Sequence, residues 1–107
     1  MSIVNLTPHP ITLLSKDNEV VMTLPKGEVV PRLSQATNEV GIIEGITITE
    51  TQFGEIQDLP DSQEGVFLIV SRLVLAACPN RQDLLVPNEL VRDDKGHIVG
   101  CKSLARN

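Results

Sequence analysis

The junction between an apolar run and a Leu- and Ala-rich segment is the first place where this chain could bind an anion. Ser71 and Arg72 directly follow the run at 66–70, which reads VFLIV. If a helix begins there, its N-terminus presents unpaired N–H groups that suit phosphate or carboxylate, and the arginine adds a bidentate donor. The alternative is that Ser71 only caps the helix, while Arg72 pairs with an acid such as Asp58 or Glu64.

Two more arginines follow in the same half of the chain. Arg81 and Arg92 lie near predicted strand or turn boundaries, and three aspartates, Asp83, Asp93 and Asp94, are close to them in sequence. We expect both arginines to contribute to an anion site, and Arg92 in particular because it alternates with inward-facing apolar residues at a strand end. The alternative for each is a solvated ion pair with a neighbouring aspartate, which contributes little to stability.

A polar cluster at the start of the chain could face the same ligand. Asn5, Thr7 and His9 alternate in the stretch NLTPHPITLL, so an extended backbone would place them on one face. An amide, a hydroxyl and an imidazole can hydrogen-bond a ribose or the edge of a base. The alternative is a turn, because Asn and Thr beside proline are turn formers and His9 would then only satisfy a backbone carbonyl.

Residues that could catalyse a reaction or bind a metal are sparse. The two histidines, His9 and His97, lack helical metal-ligand spacing, and Cys78 and Cys101 have no CxxC context. We therefore expect no metal and no cofactor. His9 could serve as the base for a cysteine nucleophile, but an apolar helix around Cys78 and a strand around Cys101 favour inert packing. We expect no catalytic residue.

The composition limits the class of partner. Among 107 residues, 41% are hydrophobic and 21% are charged, which is ordinary for a folded domain. Phe53 and Phe67 are the only aromatic residues, so stacking platforms for bases are scarce. The formal charge of −5 disfavours a DNA or RNA polymer, because a phosphate backbone needs a basic face. Six of the nine basic residues lie from Arg72 onward, so a small anionic ligand should contact the C-terminal half.

The sequence also predicts where the protein resides. Its start has no basic region followed by a long apolar stretch, so we expect no signal peptide. The longest apolar run, at 66–70, is far too short to span a membrane. These features predict a cytoplasmic protein that does not bind a membrane, with both thiols free.

Short strands separated by turn residues are predicted for the first half. Each candidate strand is rich in Val, Ile and Thr, which favour a pleated sheet. The predicted strands are 3–6, 11–14, 19–24, 28–33, 40–43 and 46–49, and the last two flank a tight turn at 44–45. Residues 34–38 are predicted as a loop, and residues 50–65, which have little periodicity, as a surface connection.

The second half combines strands with one helix. The run at 66–70 is typical of a strand buried on both faces, Ser71 is the expected N-cap of the helix, and Pro79 ends it. Strands are expected at 84–86, 90–92 and 97–104, the last two paired across the turn DDKG. The predicted fold class is α+β: a single domain over 1–107 with mostly antiparallel short β-strands and one short buried helix in the C-terminal third.

Three sequence blocks together resemble one family of small proteins. The blocks are NLTPHPITLL, LPDSQEGVFLIVSRLVLAA and RQDLLVPNELVRDDKGHIVGCKSL, and their marker motifs are NLTPH and LVRDxxGxIxGC. Proteins of this family occur in phages, prophages and bacterial genomes. By analogy with small phage proteins that sequester cyclic-nucleotide or ADP-ribose-type immune signals, the resemblance implies an anti-defence role in the host-cell cytoplasm.

Three functional hypotheses follow. The leading one is a non-enzymatic, sponge-like protein that captures a small anionic nucleotide at the interface of a homo-oligomer. Its ligand-binding residues would be Arg72, Arg92, Arg81 and Ser71 for phosphate, and Asn5, Thr7 and His9 for ribose or base. The alternative is a structural or protein–protein interaction module of phage or prophage origin, with its arginines in salt bridges. The third is a small nucleotide hydrolase with His9 as its base.

Overall fold

The computed structural model describes residues 1–107, and β-structure dominates it. Strands make up 54% of the chain and the helix makes up 6%. In chain order the elements are β1 (Ser2–Asn5), β2 (Ile11–Leu14), β3 (Val20–Leu24), β4 (Arg32–Ile43), β5 (Ile46–Gln57), β6 (Val66–Ile69), α1 (Arg72–Ala77), β7 (Leu84–Arg92) and β8 (Ile98–Ala105).

These proportions show that the α+β prediction was wrong and that the fold is mostly β. The only helix has six residues, because Ser71 caps its start and Pro79 follows shortly after its end. The predicted loop at 34–38 and the first part of the predicted connection, residues 50–57, lie in β4 and β5 and pair with each other. Both segments were missed because residues 34–38 and 50–57 lack the sustained apolar alternation that marks a half-buried strand.

Six strands form one sheet, which curls nearly into a barrel. Its order is β1-β6-β7-β8-β2-β3. The pairs β1–β6, β6–β7 and β2–β8 are parallel, whereas β2–β3 and β7–β8 are antiparallel. The sheet is therefore mixed instead of mostly antiparallel, and the two strands predicted at 84–86 and 90–92 belong to β7.

The core lies between α1 and the neighbouring strands β6 and β7. Its six buried aliphatic side chains are Leu68, Val70, Val74, Leu75, Leu84 and Val86. Leu68, Ile69 and Val70 are all buried, which confirms the predicted strand covered on both faces. Ser71 is the helix N-cap, as predicted, and its hydroxyl accepts a hydrogen bond from the Val74 N–H at 3.3 Å. The structure contains no helix that is long and apolar enough to cross a membrane.

The long hairpin β4–β5, here called the arm, projects from this body. Its strands pair from Arg32 with Gln57 at the base to Ile43 with Ile46 at the tip, and the predicted turn at 44–45 has φ values of 50° and 81°. Twelve residues of strand span about 40 Å, and the molecule measures 51 × 39 × 24 Å. Its radius of gyration is 17.0 Å, whereas a compact domain of this length has about 13 Å.

A close backbone crossing joins the end of β1 to the segment after β3. The Gly27 N–H donates a hydrogen bond to the Thr7 carbonyl at 2.8 Å. A Cβ atom at Gly27 would lie 2.7 Å from the Asn5 carbonyl oxygen and 2.9 Å from the Leu6 Cα atom, and both are backbone atoms. The crossing therefore requires a residue without a side chain.

Gly27→Ala should lower the free energy of unfolding by about 1–3 kcal/mol, because the added methyl group must push two backbone segments apart. Urea unfolding followed by circular dichroism measures this change. Gly41→Ala is the matched control, since a Cβ atom there meets nothing within 4 Å, and its unfolding midpoint should stay close to that of wild type. Equal midpoints for the two variants would contradict the close crossing.

Candidate functional site

Arg81 is bound to a neighbouring carboxylate. Its Nε and Nη2 atoms donate to Oδ1 and Oδ2 of Asp83 at 2.8 and 2.7 Å, and Nη2 also donates to the Pro60 carbonyl at 3.2 Å. These hydrogen bonds raise the pKa of Arg81 and lower the pKa of the Asp83 carboxyl group, whose side chain is 11% exposed. The guanidinium group thus ties the connection before β6 to the segment before β7, and only its Nη1 remains for a ligand.

Arg72 lies in a groove of about 480 Å³, here called the Arg72 groove. The other residues that line it are Pro10, Ile11, Thr12, Pro87, Leu90, Ile98, Val99, Gly100 and Cys101. Its Nη2 donates a long hydrogen bond to the Pro87 carbonyl at 3.4 Å. Arg72 forms no salt bridge with Asp58, with Glu64 or with any other acidic residue. Its positive charge is therefore available at the edge of a largely apolar groove.

Arg92 pairs across the sheet with a residue that lines this groove. Its Nη1 donates to the Gly96 carbonyl in the β7–β8 turn at 2.9 Å, and the side chain forms no salt bridge. Its cross-strand partner is Ile98, which lines the groove, and the register of the β7–β8 ladder shifts between Val91 and Arg92. Of the three arginines, Arg72 lines the groove, Arg92 pairs with one of its lining residues, and Arg81 lines a different cavity.

Ser71 serves the helix and the base of the arm instead of this groove. Its hydroxyl is the N-cap acceptor for α1. A small pocket lies where the base of the arm meets the helix, and its lining residues are Pro31, Arg32, Leu33, Gln35, Ser71, Leu73 and Val74. The predicted phosphate-binding set is thus divided: Arg72 lines the groove, Arg92 pairs with Ile98 of its lining, and Ser71 and Arg81 line other cavities.

Asn5 and Thr7 form a closed set of hydrogen bonds. The Asn5 Nδ2 donates to the carbonyls of His9 and Pro25 at 2.8 and 3.0 Å, and its Oδ1 accepts from the backbone N and the Oγ1 of Thr7 at 2.9 and 2.7 Å. β1 ends at Asn5, so the three polar residues do not alternate along a strand. The stretch from Asn5 to His9 is therefore the turn that the sequence analysis gave as the alternative. Pro10, which follows His9, lines the Arg72 groove.

The thiols and imidazoles are dispersed. Cys101 lines the Arg72 groove but is only 2% exposed, and burial raises its pKa, which keeps the thiol protonated and weakly nucleophilic. The side chain of His9 is exposed, and the His97 Nδ1 lies 3.8 Å from the Asp93 carboxylate at the surface. No three His, Cys, Asp or Glu side chains are grouped where they could hold a metal ion.

The arm carries uncovered apolar side chains that were not predicted as a site. Those exposed by 36–70% are Val40, Ile42, Ile43, Ile46, Ile48 and Phe53. Ile43 pairs with Ile46, and Gly41 pairs with Ile48, so three isoleucines share one face at the tip. The signal in the sequence is the run of β-branched residues on both sides of a two-residue turn, far from any other apolar segment.

The charge of the arm has a single sign beyond its base. Glu39, Glu44, Glu50 and Glu55 lie along it, and no Lys or Arg occurs between Arg32 and Arg72. The arm therefore has an apolar tip, and every charged side chain beyond its base is acidic.

The chain matches no family model, no curated protein and no solved structure. The resemblance to a phage family and the anti-defence role that it implies therefore stay predictions. Inference about function depends on the surfaces of the protein itself, and the arm and the Arg72 groove are the two candidates.

Asp83→Asn should destabilise the protein most at neutral pH. The Arg81 hydrogen bonds hold the pKa of folded Asp83 below its ordinary value of 3.8. Their stabilisation is therefore present above that value and is lost as the pH falls through the lower, folded pKa. We expect a loss of about 1–3 kcal/mol at pH 7 in urea unfolding, and a difference from wild type that shrinks below about pH 4.

Asp94→Asn is the matched control for this titration. Asp94 is exposed and forms no salt bridge, so the variant should unfold like wild type at each pH. A difference between Asp83→Asn and wild type that stays constant on acidification would contradict the assigned role of the ion pair.

Proposed function

We propose that this protein is a non-enzymatic interaction module that docks through the tip of its arm. The observation that carries the proposal is the exposure of Ile42, Ile43 and Ile46, which are 64–70% exposed. They lie at the end of a hairpin in which every residue except Leu33 and Ile56 is exposed. This function is the structural or protein–protein interaction alternative that the sequence left open.

The energetics of the arm support a docking role. A lone two-stranded hairpin is at best marginally stable in water, and this arm is unsupported over most of its length. Burying one isoleucine side chain contributes about 1.5–3 kcal/mol, so a partner that covers the tip stabilises the hairpin and the complex together. Exposed apolar patches with a polar rim are typical of protein-binding surfaces.

The charge of the arm indicates which kind of surface its partner has. Four glutamates and no basic residue beyond Arg32 favour a recess that is apolar inside and basic at its rim, because complementary charge speeds association and excludes wrong partners. The remaining polar groups support binding over catalysis, since Asn5 and Arg81 use most of their donors and acceptors within the fold.

A tip variant tests this function. Ile43→Asp combined with Ile46→Asp places two carboxylates where the contact should be dry, so proteins that bind wild type should be retained at least about 30-fold less. The measurement is quantitative mass spectrometry of proteins retained by tagged chains, including an untagged copy of the chain itself.

Val21→Asp is the control for this experiment. Val21 is 62% exposed on the edge strand β3, away from the arm, so this variant should retain the same proteins as wild type. Retention of the same proteins by wild type and by the tip variant would contradict docking through the tip, as would a wild type that retains none.

The Arg72 groove supports a second candidate, the sequestration of a small anionic nucleotide. Arg72 lines this groove, Arg92 pairs with Ile98 of its lining, and neither arginine has a carboxylate partner. An arginine that binds phosphate forms charge-assisted hydrogen bonds, which are among the stronger ones in proteins. The sequence resemblance supports a phage anti-defence setting in the host cytoplasm, with an immune nucleotide as the ligand.

Calorimetry with cyclic di- and trinucleotides and with ADP-ribose tests this candidate. We expect low-micromolar binding of one of them, and Arg72→Ala should weaken it at least about tenfold, because the hydrogen bonds to a charged group are lost. Arg32→Ala, which removes an exposed arginine outside the groove, should bind like wild type. No heat with any of these nucleotides would contradict the second candidate.

A further inference from the structure

The Arg72 groove and the tip of the arm lie far apart in one chain. The base of the arm meets α1, where Leu33 and Gln35 line a pocket with Leu73 and Val74, and Arg72 is the first residue of that helix. The paired strands hold the tip about 30–40 Å from the base. The tip therefore does not reach the groove of its own chain, and a contact between the two must join two molecules.

The tip and the groove are complementary in charge. Between residues 33 and 71 the chain has seven acidic residues and no basic one, whereas residues 72–107 carry six basic and four acidic residues. Glu44 lies in the turn at the tip. Arg72 lines the groove, Arg92 pairs with Ile98 of its lining, and neither arginine forms a salt bridge. Insertion of the tip would bring a carboxylate to the Arg72 guanidinium group, which has no acidic partner.

The tip and the groove are also complementary in apolar surface. Ile43 and Ile46 are 64% and 66% exposed at the tip. Leu90, Ile98 and Val99, which line the groove, are 46%, 53% and 47% exposed. The fold of the single chain covers neither set, and a groove of about 480 Å³ is within the size range of sites that enclose a small ligand or a few side chains.

We propose that two copies of this chain form a two-fold symmetric dimer with antiparallel arms, in which each tip occupies the Arg72 groove at the base of the other arm. This inference rests on the proposed function and names a second copy of the chain as the partner. Each arm has a groove at its base and a tip at its far end, so one two-fold axis satisfies both contacts. The contact therefore closes and does not continue into a fibre.

Charge reversal at the two contacting positions tests the dimer by analytical ultracentrifugation. Wild type should sediment at twice its mass of 11.7 kDa. Glu44→Arg and Arg72→Glu, each alone, place like charges at both contacts, and each homodimer should dissociate at a concentration at least about 100-fold higher. An equimolar mixture of the two variants should regain the dimer, because every tip then meets a groove of opposite charge.

Lys16→Glu is the matched control, since it reverses a charge in the exposed β2–β3 turn, and it should dimerise like wild type. A wild type that is monomeric up to millimolar concentration would overturn the dimer, as would a mixture that stays monomeric. In either case the retention experiment separates this dimer from the proposed function. If wild type retains a different protein that the Ile43→Asp, Ile46→Asp variant does not retain, docking through the arm stands and only pairing between two copies of the chain fails. A monomeric wild type that binds ADP-ribose through Arg72 would assign the groove to a nucleotide and overturn the dimer.

Discussion

The pairing of β4 with β5 outside the core is the constraint on which the rest of this structure depends. Two strands of 12 residues each leave the body, and only 13 of the 107 residues are buried. A small aliphatic cluster around α1 must therefore hold the body together, with help from polar contacts that fix its connections. Asn5 joins the end of β1 to residues on either side of β2 and β3, and Arg81 joins the connection at Pro60 to Asp83.

Some polar side chains are therefore used in hydrogen bonds that hold the fold together, whereas others remain available to bind a partner. Asn5, Ser71 and Arg81 resemble ligand-binding residues in the sequence, but their hydrogen bonds are largely used in holding turns, a helix start and a connection. Arg72 and Arg92 each donate only to a backbone carbonyl. The arm and the Arg72 groove are consequently the surfaces on which an external partner can act.

Local signals predicted much of the body and the outer part of the arm, at 40–49, but not the rest of the arm. The strand at 11–14, the N-cap at Ser71 and the turn at 44–45 were predicted correctly, because each depends on adjacent residues. The arm was missed over 34–38 and 50–57, because a strand exposed on both faces has no apolar period to detect. The parallel pairs β1–β6 and β2–β8 join distant segments, and no local pattern encodes them. The Arg81 ion pair was foreseeable as an alternative because Asp83 is two residues away. The groove that Arg72 lines was not, because strand pairing brings its residues together from distant segments.

Hydrogen–deuterium exchange of the wild-type protein over a series of chain concentrations tests the central claim most directly, which is that a second copy covers the tip of the arm. The account predicts that amides at 41–48 in the tip and at 97–101 beside the Arg72 groove gain protection together as the concentration rises, since both belong to one interface. Exchange at the tip that stays fast and independent of concentration would contradict it.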